Sequence, residues 1–580
     1  MIRTHNNNQL TLKDLNKKVI LQGYIDKIRK LGKKIFVDLR DMYGITQILF
    51  EDDLVDEAML LKNEYVVQVD GVVLKRLSAN PGLVTGEVEV KCKKLQIISK
   101  SILTPFEIKD DLDASEETRM KYRYLDLRRP LIQKNFIFKS QIYKITRNFF
   151  YENEFIEIPT PILGKATPEG ARDFVVPSRL NKGKWYALPQ SPQLYKQLFM
   201  VSGFDRYFQI ARTFRDEDLR NDRQLEFDQL DLEMSFAKQE DVIFIIDTYI
   251  KELFLKALNY KIENIPHISF SDSIEKYGCD KPDIRYDLYL HTLNDIFKDS
   301  QFPIFKDTNK SIRSIAVKYL LSKKEIEACE EISKQNHCQF FSFVKITNKE
   351  WSGPLASKLS DKEKASLINK FKVKDNGTII IAHDEYLKVS AALSGIRTKL
   401  AKDYKLYDEN SFKPCFIVDF PLFEFSEEEN RYVSAHNPFT MPSQKYIDNF
   451  ENNKPEAMAA SYDLVINGYE MGSGAERITD QEIQKRMFKA IDMDNEEIEN
   501  NFGWFINAYK YGAPYHAGMG IGIDRLIMVM TKSDSIREII SFPKNSKGIC
   551  AMTNAPSEID DQEFKDTFPS LPKNNNIIFK

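Results

Sequence analysis

Alternating hydrophobic and polar residues flank a strongly charged loop in the middle of the chain. Residues 207–211 alternate and predict a strand, and residues 227–234 predict a second strand after one slip in the alternation. Arginine forks suit bidentate contact with phosphate, so the loop predicts an anion site, and a solvated hairpin with its own ion pairs is the alternative. The charged residues of the loop are Arg212, Arg215, Asp216, Glu217, Asp218, Arg220, Asp222 and Arg223.

The first hundred residues predict a small β-barrel of the oligonucleotide-binding kind. Five short strands are predicted over 18–24, 34–39, 45–50, 65–73 and 86–95. Arg29, Phe36 and Gln47 alternate with core positions, and an exposed Phe beside Arg and Gln could stack on and hydrogen-bond an unpaired base. The alternative is that Phe36 belongs to the barrel core.

The pattern of the next section changes from helical to extended. Apolar residues at helical spacing predict a long helix from Pro130 to Phe149. The stretch EFIEIPTPIL follows as an extended segment, and Pro159 and Pro161 favour an edge or interface strand. Residues 286–412 carry their own apolar strands and helices, which predicts an inserted domain. The three histidines of this insert lack the spacing of metal ligands.

Two motifs near the C-terminal end predict a site for a nucleotide. Ile466-Asn467-Gly468-Tyr469 predicts a two-residue hairpin turn, which places Asp463 and Glu470 on one sheet face. Two carboxylates placed in this way can share Mg²⁺ with phosphates, the alternative being two exposed acids. The stretch GMGIGIDRLIMVM brings glycines next to Asp524 and Arg525 at a helix start, where an arginine can meet a polyphosphate.

Composition and charge exclude several classes of protein. The chain has 580 residues, a formal net charge of −3 and no apolar run long enough for a membrane span. Six scattered cysteines without a CxxC pair predict neither a disulfide framework nor a zinc site, and favour a reducing, cytoplasmic location. No GxxxxGK[ST] motif is present, which excludes a P-loop kinase or ATPase.

Taken together, these motifs resemble those of the class II aminoacyl-tRNA synthetases. TFRDEDLRNDRQLEFDQLDLEMSF resembles the second family motif, GMGIGIDRLIMVM the third, and the long helix with EFIEIPTPIL is similar to the first. YRYLDLRRP, TPEGARDF and ALPQSPQLYKQ resemble the bacterial-type aspartyl-tRNA synthetase group, along essentially the whole chain. The resemblance implies an α+β multidomain fold, in which an antiparallel catalytic sheet is flanked by helices.

The resemblance also implies an order of domains. We expect an OB-fold anticodon-binding domain over 1–104, a hinge over 105–130 and a first catalytic part over 131–285. A GAD-like inserted domain over 286–412 and a second catalytic part with a C-terminal extension over 413–580 would follow.

The resemblance implies a role for individual residues in activating aspartate with ATP and transferring it to tRNA-Asp. Aspartate would be bound by Glu169, Gln193, Lys196, Arg215, Asp231, His436 and Arg477. ATP would be bound by Arg215, Asp216, Glu217, Gln224, Glu470, Gly522, Ile523, Asp524 and Arg525, of which Arg215, Glu217 and Arg525 act in catalysis. Asp463 and Glu470 match the family's Mg²⁺ carboxylates, Arg29, Phe36 and Gln47 its anticodon-reading residues, and Pro161 its homodimer interface.

Several residues depart from the family pattern, and two alternative functions stay open. The family's paired histidines are His436-Asn437 here. This chain also carries Ser473 and Glu476 where the family usually has a more glycine-rich and less acidic stretch, and Glu476 would add negative charge near the substrate. Lys196 and Arg477 would meet the substrate carboxylate, and a neutral asparagine would leave these cations undercompensated.

A relaxed enzyme that also charges tRNA-Asn is one alternative, although Leu31 favours the strict form. A non-catalytic RNA-binding paralogue is the other.

Overall fold

The computed structural model describes residues 3–167, 170–427, 429–560 and 562. These residues form two compact units. One consists of the described parts of Met1–Phe138 and Arg537–Glu558, and the other of the described parts of Lys139–Ile536 and Ile559–Lys580. No helix in the described ranges combines the length and the apolar character that a bilayer crossing requires.

The first unit contains a closed five-stranded barrel, as the sequence predicts. Its order around the barrel is β1-β2-β3-β5-β4, and the inward-facing positions are filled by Val, Ile and Leu side chains. The alternation of buried and exposed residues along each strand produces this core. The strands are β1 (Lys18–Leu31), β2 (Lys34–Arg40), β3 (Ile45–Phe50), β4 (Val66–Lys75) and β5 (Val88–Ser99).

The link after the barrel is more ordered than its polar sequence suggests. Arg123 is buried and donates to the carbonyls of Arg537, Ile540 and Ser541, and Arg123 and Arg129 both pair with buried Asp126. These charge-assisted bonds satisfy polar groups that would be costly to bury alone. The helices up to this point and the long predicted helix are α1 (Val55–Met59), α2 (Glu116–Lys121), α3 (Arg123–Asp126) and α4 (Pro130–Glu152).

The second unit is built on an eight-stranded sheet. Its order is β11-β17-β20-β21-β22-β10-β9-β6, in which the five pairs from β17 to β9 are antiparallel and the two outer pairs are parallel. The elements of its first part are β6 (Ile156–Glu157), β7 (Val175–Pro177), β8 (Trp185–Ala187), α5 (Gln193–Val201), β9 (Arg206–Phe214), β10 (Glu226–Ser235), α6 (Gln239–Leu258), β11 (His267–Ser269) and α7 (Phe270–Tyr277). The α+β fold class is therefore confirmed.

A second sheet of five strands, in the order β12-β13-β16-β14-β15, lies within the region predicted as an insertion. Separate apolar clusters pack on it, one of them formed with α9 and α11. Its elements are β12 (His291–Thr292), α8 (Asn294–Phe297), β13 (Ser311–Val317), α9 (Lys323–Gln335), β14 (Phe340–Thr347), β15 (Glu350–Ser352), α10 (Asp361–Phe371), β16 (Gly377–Asp384) and α11 (Tyr386–Asp403). The exact domain boundaries stay a prediction.

The last section returns to the eight-stranded sheet. The hairpin predicted at Asn467-Gly468 joins β20 to β21, and both turn residues have positive φ, which suits Asn and Gly. The elements are β17 (Pro414–Val418), β18 (Phe423–Ser426), β19 (Arg431–Ser434), β20 (Ser461–Ile466), β21 (Tyr469–Glu476), α12 (Gln481–Ala490), α13 (Asn495–Tyr509), β22 (His516–Gly522) and α14 (Ile523–Thr531). Because β10, β22 and β21 are neighbours, residues far apart in sequence meet on one sheet face.

Candidate active site

A cavity of about 260 Å³ lies over β10, β21 and β22. The loop between β9 and β10, the start of α5 and the start of α14 close its sides. The predicted site residues that line it are Gln193, Lys196, Arg215, Glu217, Gln224, Asp231, His436, Glu470, Arg477, Gly522 and Arg525. Glu169 lies outside the described residues.

Glycines in β22 allow long side chains of β10 to lie across the neighbouring strand. Gly518 pairs with Glu233 and Gly520 with Asp231. A Cβ at Gly518 would stand 1.9 Å from Glu233 Oε2, and one at Gly520 would stand 2.2 Å from Gln229 Nε2. The glycine-rich motif is therefore required by close side-chain approach inside the sheet, in addition to any approach by a nucleotide.

A buried ion-pair network forms the floor of the cavity. Lys196 Nζ lies 2.9 Å from Asp231 Oδ1 and 3.5 Å from Glu233 Oε2, and the Lys196 and Asp231 side chains are each only 1% exposed. Arg477 Nε donates to Glu233 Oε1 at 2.9 Å. Burial acts to raise the pKa of Glu233, but Arg477 and Lys196 outweigh it and lower that pKa, whereas burial raises the pKa of Asp231.

This network changes the expected basis of substrate selection. The prediction that a neutral amide would leave Lys196 and Arg477 undercompensated is wrong in that form, because Asp231 and Glu233 already pair with them. Glu233 was missing from the predicted site. Its position could have been read from the strand alternation, since Glu233 stands two residues after Asp231 on the same face.

Three buried polar atoms of the cavity lack hydrogen-bond partners among the described residues. They are Gln193 Nε2, Asp231 Oδ2 and His436 Nε2. Buried polar groups are nearly always paired, so unpaired ones indicate a place for a ligand. Burial lowers the pKa of His436, which favours the neutral imidazole.

The guanidinium of Arg215 is held loosely at the cavity wall. It stacks on Phe227, with 5.3 Å between Cζ and the ring centroid, and its two contacts to Gln190 O and Gln229 Oε1 are both 3.4 Å long. Its charge is thus available to a ligand without the loss of a strong internal bond. Phe227 also borders the cavity and attracts the guanidinium through its ring face.

The other predicted residues of the charged loop divide into cavity and surface positions. Glu217 accepts from Arg223 at 3.0 Å, and both line the cavity together with buried Gln224. Asp216 instead accepts from Arg172 Nε at 2.8 Å and is not among the cavity-lining residues. The loop therefore contains the ion pairs of the hairpin interpretation, and the anion site stays a prediction.

At the start of α14, only some of the predicted residues face the cavity. Arg525 Nη1 donates to Glu470 O at 2.8 Å, and Arg525 Nη2 lies 3.4 Å from Asp222 Oδ2. The Ile523 side chain is buried, and the Asp524 carboxylate contacts Lys139 Nζ and the Asp228 backbone N–H, at 2.5 and 2.8 Å. The side chains of Ile523 and Asp524 are therefore not among the cavity-lining residues, and contact of these two residues with ATP stays a prediction.

Asp463 and Glu470 approach one another, but their register differs from the simple prediction. Val465 pairs with Glu470 as expected, whereas a bulge after Leu464 brings Asp463 opposite Ser473. Glu470 lines the cavity, and Asp463 is buried with an unpartnered Oδ1. Burial and then Glu470 raise the pKa of Asp463 well above its usual value.

These two carboxylates fit a magnesium ion held jointly with a phosphate ligand. No group of three or more His, Cys, Asp or Glu side chains with metal-binding geometry occurs in the ranges that the structure describes. Mg²⁺ commonly uses one or two protein carboxylates and completes its shell with water and phosphate oxygens. A cation beside Asp463 Oδ1 would give that oxygen a partner and would reduce the repulsion between the Asp463 and Glu470 carboxylates.

The structure also gives positions to the departures from the family pattern. The prediction that Glu476 adds charge near the substrate is wrong, because its carboxylate accepts from the Gln239 N–H at the start of α6 and is not among the cavity-lining residues. Asn437 Oδ1 accepts from the Phe439 N–H at 3.0 Å, within a turn. Ser473 lines the cavity, and its side-chain hydrogen bond to Asp463 partly opposes the rise in the pKa of Asp463 that burial and Glu470 cause.

On the barrel, Arg29, Phe36 and Gln47 lie on one face of β1, β2 and β3. Arg29 pairs with Phe36 across the strands, and Phe36 is half-buried, which lies between the two sequence interpretations. Arg29 donates to both oxygens of Asp38, at 2.6 and 2.7 Å, and to Gln47 Oε1 at 3.0 Å. Gln47 Nε2 in turn donates to Glu89 at 2.6 Å.

Pro161 is exposed on the second unit, four residues beyond the edge strand β6. An exposed position beside an edge strand is available to a partner chain. Its place in a dimer interface stays a prediction.

Comparison with known proteins identifies the same two parts. The family model described as "tRNA synthetases class II (D, K and N)" matches residues 115–546. The model described as "OB-fold nucleic acid binding domain" matches residues 19–98. The first of these covers most of the second unit and the linking segment.

Relatives of known name align along nearly the whole chain. The aspartate–tRNA ligase of Mesoplasma florum is 54% identical over 571 residues, which cover 98% of this chain and 99% of that protein. The aspartate–tRNA ligase of Mycoplasma capricolum is 52% identical and covers 97% of this chain and 98% of that protein. The aspartate–tRNA(Asp/Asn) ligase of Caldanaerobacter subterraneus is 43% identical over 577 residues, covering 97% of each chain.

Solved structures share the fold at much lower identity. The asparaginyl-tRNA synthetase of Pyrococcus horikoshii in complex with asparaginyl-adenylate aligns with a TM-score of 0.59 and 20% identity, covering 94% of this chain and 98% of that chain. The same family is indicated by the barrel, the antiparallel sheet, the three motifs and the full-length relatives. The chain belongs to the class II tRNA synthetases of the D, K and N group, and is an aminoacyl-tRNA synthetase.

Proposed function

We propose that this protein is an aspartate–tRNA ligase. It activates L-aspartate with ATP to aspartyl-adenylate and pyrophosphate, and then transfers the aspartyl group to the 3′ end of tRNA-Asp. The observation that carries the proposal is the cavity in which the buried Lys196–Asp231 and Arg477–Glu233 pairs lie beside Arg215 and Arg525. The full-length relatives named aspartate–tRNA ligase support aspartate as the substrate.

The amino acid would lie over the buried ion pairs. The side-chain carboxylate of aspartate would accept from Lys196 and Arg477, whose other donors already hold Asp231 and Glu233. The substrate ammonium would donate to the unpartnered Asp231 Oδ2, with Gln193 and Glu169 nearby in the family pattern. Aspartate is preferred to asparagine because the side-chain NH₂ group of asparagine would face the N–H donors of Lys196 and Arg477. Those buried donors would then have no acceptor on the substrate.

The three phosphates of ATP would be held between the charged loop and α14. Arg215 would bridge the α-phosphate and the attacking carboxylate, and Arg525 would hold the γ-phosphate end. Gln224 and Glu217, which line the same cavity, would position the nucleotide. Arg215 meets charge that grows as the α-phosphate is attacked, so its effect falls on the rate of adenylate formation.

Magnesium would be held by Asp463 and Glu470 together with phosphate oxygens. When bound, the ion supplies charge neutralisation for the phosphates. The residues of this chain orient the reactants by their contacts, because the reaction asks little covalent chemistry of the protein.

The barrel would recognise the anticodon of tRNA-Asp. Phe36 would stack on an unpaired base, and Arg29 and Gln47 would hydrogen-bond to base edges. A relaxed enzyme that charges both tRNA-Asp and tRNA-Asn is the alternative, and relatives named aspartate–tRNA(Asp/Asn) ligase are 43–45% identical to this chain. We favour the strict form, because relatives at 51–54% identity are named aspartate–tRNA ligase and because Leu31 stands where relaxed members of the family often carry histidine.

The protein would act as a cytoplasmic homodimer. The exposed Pro161 near the edge strand β6 is the feature of this chain that supports the dimer. Sedimentation of the full chain tests the dimer, and a single species with the mass of one chain would contradict it.

The test of the activity is ATP–pyrophosphate exchange with Mg²⁺ and with aspartate, asparagine or lysine supplied separately. Exchange with aspartate alone is expected, and exchange with asparagine instead would contradict the assignment of the Lys196–Arg477 pocket. Absence of exchange with all three would support the non-catalytic paralogue. Charging of tRNA-Asp and tRNA-Asn in parallel then separates the strict from the relaxed enzyme.

A further inference from the structure

A short connection leads from α7 into the inserted region, and it is tightly held at both ends. Gly278 ends α7 with a φ of +79°, and the Ser273 hydroxyl donates to Cys279 O at 2.7 Å. Buried Arg397 of α11 donates through Nη2 to Asp283 O at 2.8 Å. The three residues between Cys279 and Asp283 are therefore anchored on both sides.

The same connection packs against the turn of the β20–β21 hairpin. A Cβ on Gly468 would lie 3.4 Å from Asp283 Cβ, so the turn lies next to the connection with room for little more than one methyl group between them. Glu470 follows this turn by two residues. The packing brings the connection close to one of the two carboxylates assigned to magnesium.

Lys281 of this connection directs its ammonium group at those acids. Its Nζ lies 3.7 Å from Glu470 Oε2 and 3.6 Å from Asp280 Oδ2. The Lys281 side chain is 46% exposed and Glu470 is 34% exposed, so neither is locked in a buried pair. Asp463 is also near, since its charge acts to raise the pKa of Lys281 and the charge of Lys281 acts to lower the pKa of Asp463.

We propose that Lys281 is a positioning residue that occupies the Glu470 site with its own positive charge until ATP brings a divalent cation. The proposal rests on the assignment of Asp463 and Glu470 under the proposed function. It gives the connection to the inserted region a part in the order in which metal and nucleotide bind.

The chemistry of the two cations makes them competitors. An ammonium on a four-carbon stem is a point charge that can swing into water, whereas Mg²⁺ needs oxygen ligands in a nearly fixed geometry. Both cannot neutralise Glu470 at once without repelling each other. A cation that arrives with ATP has phosphate oxygens as further ligands, and so displaces Lys281 more readily than a free cation does.

The test is Mn²⁺ binding to the full-length enzyme without nucleotide, followed by electron paramagnetic resonance. In Lys281→Met, Mn²⁺ is expected to bind about fivefold more tightly, because it no longer has to replace Lys281 at Glu470, a contact between two exposed charges about 4 Å apart in water. Lys281→Arg keeps the charge and is expected to bind Mn²⁺ as the wild type does. Lys276→Met removes an exposed lysine of α7 and is the matched control.

A second background shows whether the effect passes through Glu470. In Glu470→Gln, adding Lys281→Met is expected to change Mn²⁺ binding little, as in a double-mutant cycle for two coupled residues. Unchanged or weaker Mn²⁺ binding in Lys281→Met would overturn the proposal, as would an equal gain in the Glu470→Gln background. Failure of the proposed function is seen separately, as absence of aspartate-dependent pyrophosphate exchange in the wild type.

Discussion

The barrel face that we propose reads bases and the floor of the candidate active site both present charged and polar groups, but the hydrogen bonds of these groups differ. On the barrel, Arg29 is bound to Asp38 and Gln47, and Gln47 is bound to Glu89. In the cavity, Asp231 and His436 each keep one buried atom without a partner in the described part of the chain. The hydrogen-bonding side chains predicted on the barrel, Arg29 and Gln47, already have partners, whereas Asp231 and His436 of the cavity each have an atom that a ligand could bind.

The difference determines how much free energy a ligand gains from hydrogen bonds in the cavity and on the barrel. A buried polar group without a partner costs about 1–3 kcal/mol, which a ligand can recover by supplying the bond. On the barrel, a base must exchange bonds that already exist, and the net value of such an exchange is only about 0.5–1.5 kcal/mol per bond. We therefore expect stacking on Phe36 to contribute more to anticodon affinity than any single hydrogen bond there.

The largest effect is expected from Arg215→Ala in the cavity. The variant removes a charge that meets the reacting phosphate and has only weak contacts in the free protein. Aspartate-dependent pyrophosphate exchange is expected to fall by about 10²-fold or more, as when a preorganised donor is removed from a transition state. Thermal stability should change little, because no strong internal bond is lost.

Arg206→Ala is the matched control for this experiment. Arg206 stands at the opposite end of β9, where its Nη1 donates to Asn153 O at 2.7 Å. Exchange by this control should stay near the wild-type rate. If Arg215→Ala kept its exchange activity, the role assigned to Arg215 would be wrong.

An intermediate effect is expected from Phe36→Ala on the barrel. Loss of one base–aromatic stack is worth about 1–3 kcal/mol, which corresponds to a loss of about 5- to 150-fold in tRNA affinity. Pyrophosphate exchange without tRNA should be unchanged. Charging of tRNA-Asp as a function of tRNA concentration is the measurement.

Tyr43→Ala separates stacking from a general loss of aromatic surface. Tyr43 is an exposed aromatic residue of the β2–β3 loop in the same barrel, 45% exposed. It should leave the charging of tRNA-Asp unchanged. Equal losses in the two variants would mean that the Phe36 face is not the one that reads the anticodon.

The two surfaces also differ in how far the sequence predicted them. Strand alternation and the Asn467-Gly468 turn identified the barrel, the charged loop and the Asp463–Glu470 hairpin, because these patterns are local. Alternation also indicates which face a residue occupies. For that reason Glu233 could have been found beside Asp231.

What the sequence could not predict are partners that are distant along the chain. Glu476 turned out to cap α6, and the Asp524 carboxylate binds Lys139, 385 residues away. The bulge after Leu464 moved Asp463 by one residue relative to β21. Such contacts depend on the order of strands and on local irregularity, neither of which a one-dimensional pattern contains.

The smallest effect is expected from the pH dependence of stability, which tests whether His436 is neutral in the free cavity. Burial lowers the pKa of His436 below its usual 6.5, against the opposing influence of Glu470 and Asp280 and with that of Arg477. Below pH 6.5 the unfolded chain therefore binds a proton that the folded chain does not. This group thus contributes stability above about pH 6.5 and loses it as the pH falls, by at most about 1.4 kcal/mol per pH unit.

His436→Gln should reduce the loss of thermal stability of the full chain between pH 7.5 and pH 5.5. His337→Gln, which replaces an exposed histidine of the inserted region, should leave that loss as it is in the wild type. A pH-dependent loss in His436→Gln as large as that of the wild type would mean that the imidazole accepts a proton in the folded state. The cavity would then resemble the barrel face, since the ring would have found an internal partner for its second nitrogen.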